Sequence, residues 1–178
     1  MKLSEFLTED DLIIGLQSRE QYTAIEAVAG KLGEKTGKSR AEVLHALLRR
    51  ERIGSTAVGD GLAIPHARYA GILAPAVVIA TLKKPIWFDS PDRAPVDLLL
   101  GVLWPLEDAT EFLPMLSRVS RILRQPEYRE RIRSATSPAD AVAGIKSLEI
   151  GNTGVAGPAP ASAVEERIQE PCFVPLTI

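Results

Sequence analysis

The sequence predicts an α/β layered domain, and three observations carry that prediction. Two continuous apolar runs, residues 76–82 and 96–104, have the length and composition of strands covered on both faces. Segments with helical apolar spacing lie before and after them, so helices and strands alternate along the chain. The 178 residues, 46% hydrophobic and 25% charged, suit one globular domain with a sizeable core.

Each element has its own signal. Residues 11–16, Asp-Leu-Ile-Ile-Gly-Leu, read as a short strand. Ser18 and Gln21 form a capping-box pattern ahead of Ile25, Val28 and Leu32, and Gly37 is placed to end that helix. Ser39 and Glu42 repeat the pattern and open a helix with Val43, Leu44, Leu47 and Leu48 on one face, running toward Arg50. Asp89, Pro91 and Asp92 mark the connection between the two long strands. Leu113, Leu116, Val119, Ile122 and Leu123 share a helical face, and Pro126 stops that helix and begins another. Ser137-Pro138-Ala139-Asp140 combines a cap, a first-turn proline and a first-turn acid, which opens a last helix.

The chemistry is concentrated in residues 59–68, Gly-Asp-Gly-Leu-Ala-Ile-Pro-His-Ala-Arg. Glycines let backbone N–H groups approach a ligand, and Pro65 biases Ile64 toward extended geometry, so His66 is presented at a strand end. An imidazole changes charge near neutral pH and can form a covalent intermediate. A rigidly held nucleophile beside backbone donors is a reasonable phosphoryl site.

From Arg50 to His66 the chain reads Arg-Glu-Arg-Ile-Gly-Ser-Thr-Ala-Val-Gly-Asp-Gly-Leu-Ala-Ile-Pro-His. This resembles the active-site signature of phosphotransferase-system enzyme IIA domains of the mannitol/fructose class. A second block, Phe88-Asp89-Ser90-Pro91-Asp92-Arg93-Ala94-Pro95-Val96-Asp97-Leu98-Leu99, matches another family stretch. The resemblance spans roughly residues 3–148, and Gly54-Ser55-Thr56 is most similar to the nitrogen-regulatory branch. It implies a mixed β-sheet flanked by helices in a single layered domain.

The resemblance also implies a mechanism, in which His66 accepts a phosphoryl group from a histidine phosphocarrier protein and regulatory partners respond to the phosphorylation state. Arg50 matches the arginine that stabilises phosphoryl charge, a task suited to the two-pronged guanidinium. Ser55, Gly59 and Gly61 are phosphate-loop candidates, although turn residues would look the same; Arg68 is a weaker candidate that reads first as a solvated arginine. No cofactor is expected, because a phosphoramidate donor is already activated, and His45 has too few neighbours to suggest a metal. One departure stands out. Many family members carry a second histidine where this chain has Phe112, which cannot donate to a phosphoryl oxygen, and Pro114 threatens the first turn of that helix. Ala57 and Ala67 are smaller departures expected to narrow backbone freedom around the site. Two alternatives therefore stay open: a non-transferring regulatory module that keeps the fold, and a sugar-specific transport component of the fructose/mannitol type.

The net charge of −2 argues against nucleic acid or an anionic membrane surface as partner. No apolar run approaches the ~18 residues of a membrane span, the first residues lack a signal-peptide pattern, and the single cysteine, Cys172, fits a reducing compartment. A cytoplasmic protein is expected. Composition divides the chain into a phosphoacceptor domain, residues 1–150, and a Gly/Pro/Ala-rich linker with a flexible tail, residues 151–178.

Overall fold

The computed structural model describes residues 2–151. The linker and tail expected beyond Gly151 therefore lie outside the described residues.

In chain order the elements are β1 (Leu12–Leu16), α1 (Gln21–Thr36), α2 (Arg40–Glu51), β2 (Ala57–Gly59), β3 (Leu62–Ala63), β4 (His66–Tyr69), β5 (Ala76–Ile86), β6 (Val96–Pro105), α3 (Phe112–Leu123), α4 (Pro126–Arg133) and α5 (Pro138–Gly151), preceded by two 3₁₀ turns at Leu3–Glu5 and Glu9–Asp11. One mixed sheet runs β1-β5-β6-β3-β2, with β4 also pairing β6. The parallel pairs are β1–β5, β3–β6 and β4–β6; β5–β6 and β2–β3 are antiparallel.

Alternation along the two long strands separates two cores. Leu99 and Leu103 of β6 join Val78 and Ala80 of β5 under α1 and α2. Leu98, Leu100, Val102 and Trp104 join Val77 and Ile79 under α3, α4 and α5. The result is three layers, helices on both faces of the sheet. Gly101 is what brings α1 this close to β6, since a Cβ there would meet Val28 Cγ1 at 2.1 Å.

The caps follow the sequence in part. Ser39 Oγ accepts from the Glu42 N–H at 3.3 Å and Glu42 accepts from the Ser39 N–H at 3.1 Å, a complete capping box. Gly37, with φ at +67°, ends α1 in the left-handed region. Ser137 Oγ accepts from the Asp140 N–H at 3.1 Å. Ser18 does not cap α1. The helix begins after Glu20, Ser18 Oγ donates to the Glu20 carbonyl, and Gln21 reaches instead to Glu51.

Three further details depart from expectation. Asp11 belongs to the second 3₁₀ turn, where its carboxylate accepts from the Thr8 N–H, so β1 starts one residue later. The buried stripe of α3 is Phe112, Met115, Val119 and Leu123, while Leu113 is 69% exposed. The larger Phe112 ring takes the inward position against Trp104, at 6.0 Å between centroids, and rotates Leu113 outward. Pro114 does not delay α3: it occupies the third helical position, where its missing N–H would have had no partner within the helix.

Candidate functional site

The line of the chain past residue 61 sets the site. Leu62 and Ala63 pair with Leu98 and Leu99, and His66 and Ala67 pair with Val102 and Leu103, so β3 and β4 hold one constant register along β6. Pro65 sits in the break, its carbonyl accepting from the Val102 N–H at 3.0 Å. Pro65 thus interrupts the strand without shifting it, and His66 is the first residue after the interruption. Its ring lies on the α3 side of the sheet, like Val102 beside it.

Both ring nitrogens of His66 are engaged. Nδ1 lies 2.7 Å from the Ile64 carbonyl oxygen, which can only accept, so Nδ1 carries the proton. Nε2 then presents a lone pair, and Arg50 Nε–H donates to it at 3.0 Å. The Arg50 guanidinium is held on its other side by the Gly54 carbonyl at 2.8 Å. Burial pushes the His66 pKa below its ordinary 6.5; the Ile64 carbonyl opposes this, the Arg50 charge adds to it, and Glu51 opposes it weakly. A neutral imidazole with its nucleophilic nitrogen fixed beside a guanidinium is the outcome.

Arg50 is placed by a residue the sequence reading passed over. Glu51 ends α2, where a negative charge opposes the helix dipole and calls for compensation. Its carboxylate accepts from the Thr56 N–H at 3.1 Å, Thr56 Oγ1 at 2.5 Å, Ser55 Oγ at 3.2 Å and Gln21 Nε2 at 2.7 Å. These bonds fold residues 51–56 back on the helix end and present Arg50 toward β4. The legible signal was an acid at a helix C-terminus followed by Ser-Thr.

The remaining candidates separate. Ser55 donates to Glu51 and accepts from the Ala57 N–H at 3.2 Å, so its hydroxyl builds the loop. Gly59 and Gly61, with φ of +93° and +74°, form the β2–β3 turn; their neighbours are Asp92 for the first and Arg133 and Asp97 for the second. At ~3.3 Å per residue that turn lies roughly 16 Å along the strand from His66. The structure brings Arg50 and His66 together but does not bring the two glycines to them. Phe112 is at the site: its ring centroid is 5.8 Å from that of His66, at an interplanar angle of 59°. His45 is exposed on α2. Arg68 is half-buried rather than solvated, with one terminal nitrogen donating to the Leu106 carbonyl. Among the described residues no cluster of three or more His, Cys, Asp or Glu side chains could hold a metal ion.

Residues 5–148 match the family described as "Phosphoenolpyruvate-dependent sugar phosphotransferase system, EIIA 2". The chain belongs to this EIIA family. Among EIIA relatives, a nitrogen regulatory protein of Bradyrhizobium diazoefficiens is 32% identical over 148 residues, covering 83% of this chain and 96% of that protein. A nitrogen regulatory protein of Pseudomonas aeruginosa is also 32% identical, covering 76% and 88%. The crystal structure of the nitrogen regulatory protein IIA-Ntr from Neisseria meningitidis superposes with a TM-score of 0.75 at 29% identity, covering 80% of this chain and 98% of that one. The EIIA fold extends to IIA mannitol of Escherichia coli, with a TM-score of 0.65 at 20% identity over 78% of this chain and 98% of that one.

Proposed function

We propose that this EIIA protein is a regulatory phosphoacceptor of the nitrogen-regulatory type, phosphorylated on His66 Nε2 by a histidine phosphocarrier protein in the cytoplasm. The observation that carries the reading is the pair of bonds on the His66 ring. Nδ1 is committed to Ile64, so the only lone pair is on Nε2, and a guanidinium already lies there. In the transfer, Nε2 attacks the donor phosphoryl phosphorus and a P–N bond forms as the donor's P–N bond breaks. The donor imidazole leaves with the electron pair of its bond. The ring's positive charge passes to His66, where the Nδ1 proton stays against the Ile64 carbonyl. Arg50 exchanges the Nε2 lone pair for the equatorial oxygens, whose charge is what such a site must stabilise.

The regulatory output rests on the surroundings. Ile53, three residues past Arg50, and Leu113, beside Phe112 at the start of α3, are 82% and 69% exposed, and we take them as an apolar rim for a docking protein. A phosphoryl dianion set inside that rim alters which surface can dock there. The nitrogen-regulatory reading is favoured over the transport alternative because IIA-Ntr of Neisseria meningitidis superposes with a TM-score of 0.75 at 29% identity, against 0.65 at 20% for IIA mannitol of Escherichia coli. Among the described residues no helix is long and apolar enough to cross a membrane. The test is intact mass after incubation with phosphoenolpyruvate, enzyme I and phosphocarrier, with His66→Ala beside the wild type. One acid-labile phosphate on wild type alone is expected; an unlabelled wild type beside a labelled family member overturns the reading.

A further inference from the structure

A phosphoryl group on His66 Nε2 would carry close to two negative charges, yet one face of the acceptor ring is covered by a side chain with no donor. Phe112 is 9% exposed and packs between His66 and Trp104. Arg50 approaches from α2 and holds Gly54 with another of its nitrogens. One guanidinium against a dianion in a partly desolvated pocket leaves charge uncompensated.

A second arginine lies on the same strand as His66 and has no counter-ion among the described residues. Arg68 is two residues beyond His66 on β4, and the register pairs it with Trp104 as His66 is paired with Val102. His66 and Arg68 therefore project from the same face of the sheet, ~6.6 Å apart along the strand. The Arg68 guanidinium donates from one terminal nitrogen to the Leu106 carbonyl. Its Nε–H is buried and has no hydrogen-bond partner. No carboxylate among the described residues lies within the 4.0 Å of an ion pair with it, although Glu107, Asp108 and Glu111 follow in the connection to α3. A buried arginine N–H left unpaired is costly.

We propose that Arg68 is the second phosphoryl ligand of this site: on phosphorylation its guanidinium turns from the Leu106 carbonyl toward the oxygens on His66, opposite Arg50. The inference rests on the acceptor reading given above. It explains why a donorless phenylalanine is compatible with the site, and why a long cation at this strand position has no carboxylate partner. The bonds made and broken are those of the transfer already written; Arg68 supplies two N–H donors and charge, and no proton.

The experiment is phosphoryl transfer from the phosphocarrier to wild type, Arg68→Gln, Arg68→Lys, Phe112→His and the double variant Arg68→Gln/Phe112→His, with KM for the phosphocarrier and maximal rate separated. Arg68→Gln is expected to lose about tenfold to a hundredfold in maximal rate with KM within about twofold, and Arg68→Lys to keep most of the rate. Phe112→His, which puts an imidazole donor over the same phosphoryl, is expected to recover at least about tenfold in the Arg68→Gln background. A wild-type rate in Arg68→Gln, or an equal loss in both backgrounds, overturns the proposal. A direct readout on wild type needs no variant. The Arg68 Nε–H proton resonance moves downfield and gains protection from exchange when His66 is phosphorylated; an unmoved resonance in a fully phosphorylated sample overturns the proposal. A wild type that takes no phosphoryl group is a different failure, which removes the acceptor reading and this inference with it.

Discussion

Arg50 Nε donates to His66 Nε2 at 3.0 Å, and this one bond joins a helix end to a strand start across 16 positions of sequence. On the proposed reading it marks the nucleophilic nitrogen and places the charge that faces the phosphoryl group. Replacing Arg50 by glutamine is expected to lower the transfer rate by about 10²–10³, the range for removing one charge-stabilising donor. Arg50→Lys recovers only part of that, since an ammonium keeps the charge but not the fork. Initial rates of phosphoryl transfer check both variants.

The His66 pKa sets a pH window. Burial holds it below 6.5 in the folded protein, so the acceptor stays neutral at pH values where a free histidine is half-charged. The transfer rate is expected to be flat above pH 6.5 and to fall only below it. Stability follows the same sign: the unfolded chain binds the proton first, so stability is lost as pH falls from 6.5 toward the depressed folded value. An NMR titration of the His66 ring gives the midpoint, and a midpoint at or above 6.5 contradicts this.

Glu51 supports the site from behind. Glu51→Ala leaves the Thr56 N–H and Oγ1 and the Gln21 amide without their acceptor. A loss of about 1–3 kcal/mol in urea unfolding is expected, together with slower transfer because Arg50 is no longer presented.

Asp92 organises the far turn. Its carboxylate accepts from Ser90 Oγ at 2.5 Å, the Asp60 N–H at 2.7 Å and the Ala94 N–H at 3.0 Å. These bonds hold its pKa down at about 2, against an ordinary 3.8. A depressed carboxylate contributes stability above its unfolded value and loses it as pH falls from 3.8 toward 2. Asp92→Asn is expected to flatten that part of the acid-unfolding curve while leaving transfer at neutral pH unchanged, because the turn is remote from His66.

Gly101→Ala tests the layer packing. The new Cβ would sit 2.1 Å from Val28 Cγ1, so α1 must move off β6. A destabilisation of about 1–3 kcal/mol by urea unfolding is expected for such overpacking.

The three-layer plan was legible because it rests on local rules, and the junction of Arg50 with His66 because both residues fall on positions of the family signature. The long apolar runs had the length of covered strands, and the Ser39–Glu42 box starts the helix whose last turn carries Arg50. What the sequence hid depends on tertiary geometry. Gly59 and Gly61 lie close to His66 in sequence, but an extended strand separates them in space. Leu113 and Phe112 both satisfied a helical period, and the partner across the groove, Trp104, decided which one turned inward. Arg68 resembled a solvated charge because nothing local announces a buried, unpaired Nε. Ser18 matched a capping pattern, but α1 began too late for its side chain to reach.

Everything proposed for this site turns on Nε2 of His66 being the atom phosphorylated. Long-range ¹⁵N–¹H correlation spectra of the full chain, with ¹⁵N-labelled histidine, before and after incubation with phosphoenolpyruvate, enzyme I and phosphocarrier, test it most directly. One histidine ring is expected to change, that of His66, with its Nε2 taking the phosphoryl group while Nδ1 keeps its proton. Phosphorylation at Nδ1, at His45, or at neither ring would contradict it.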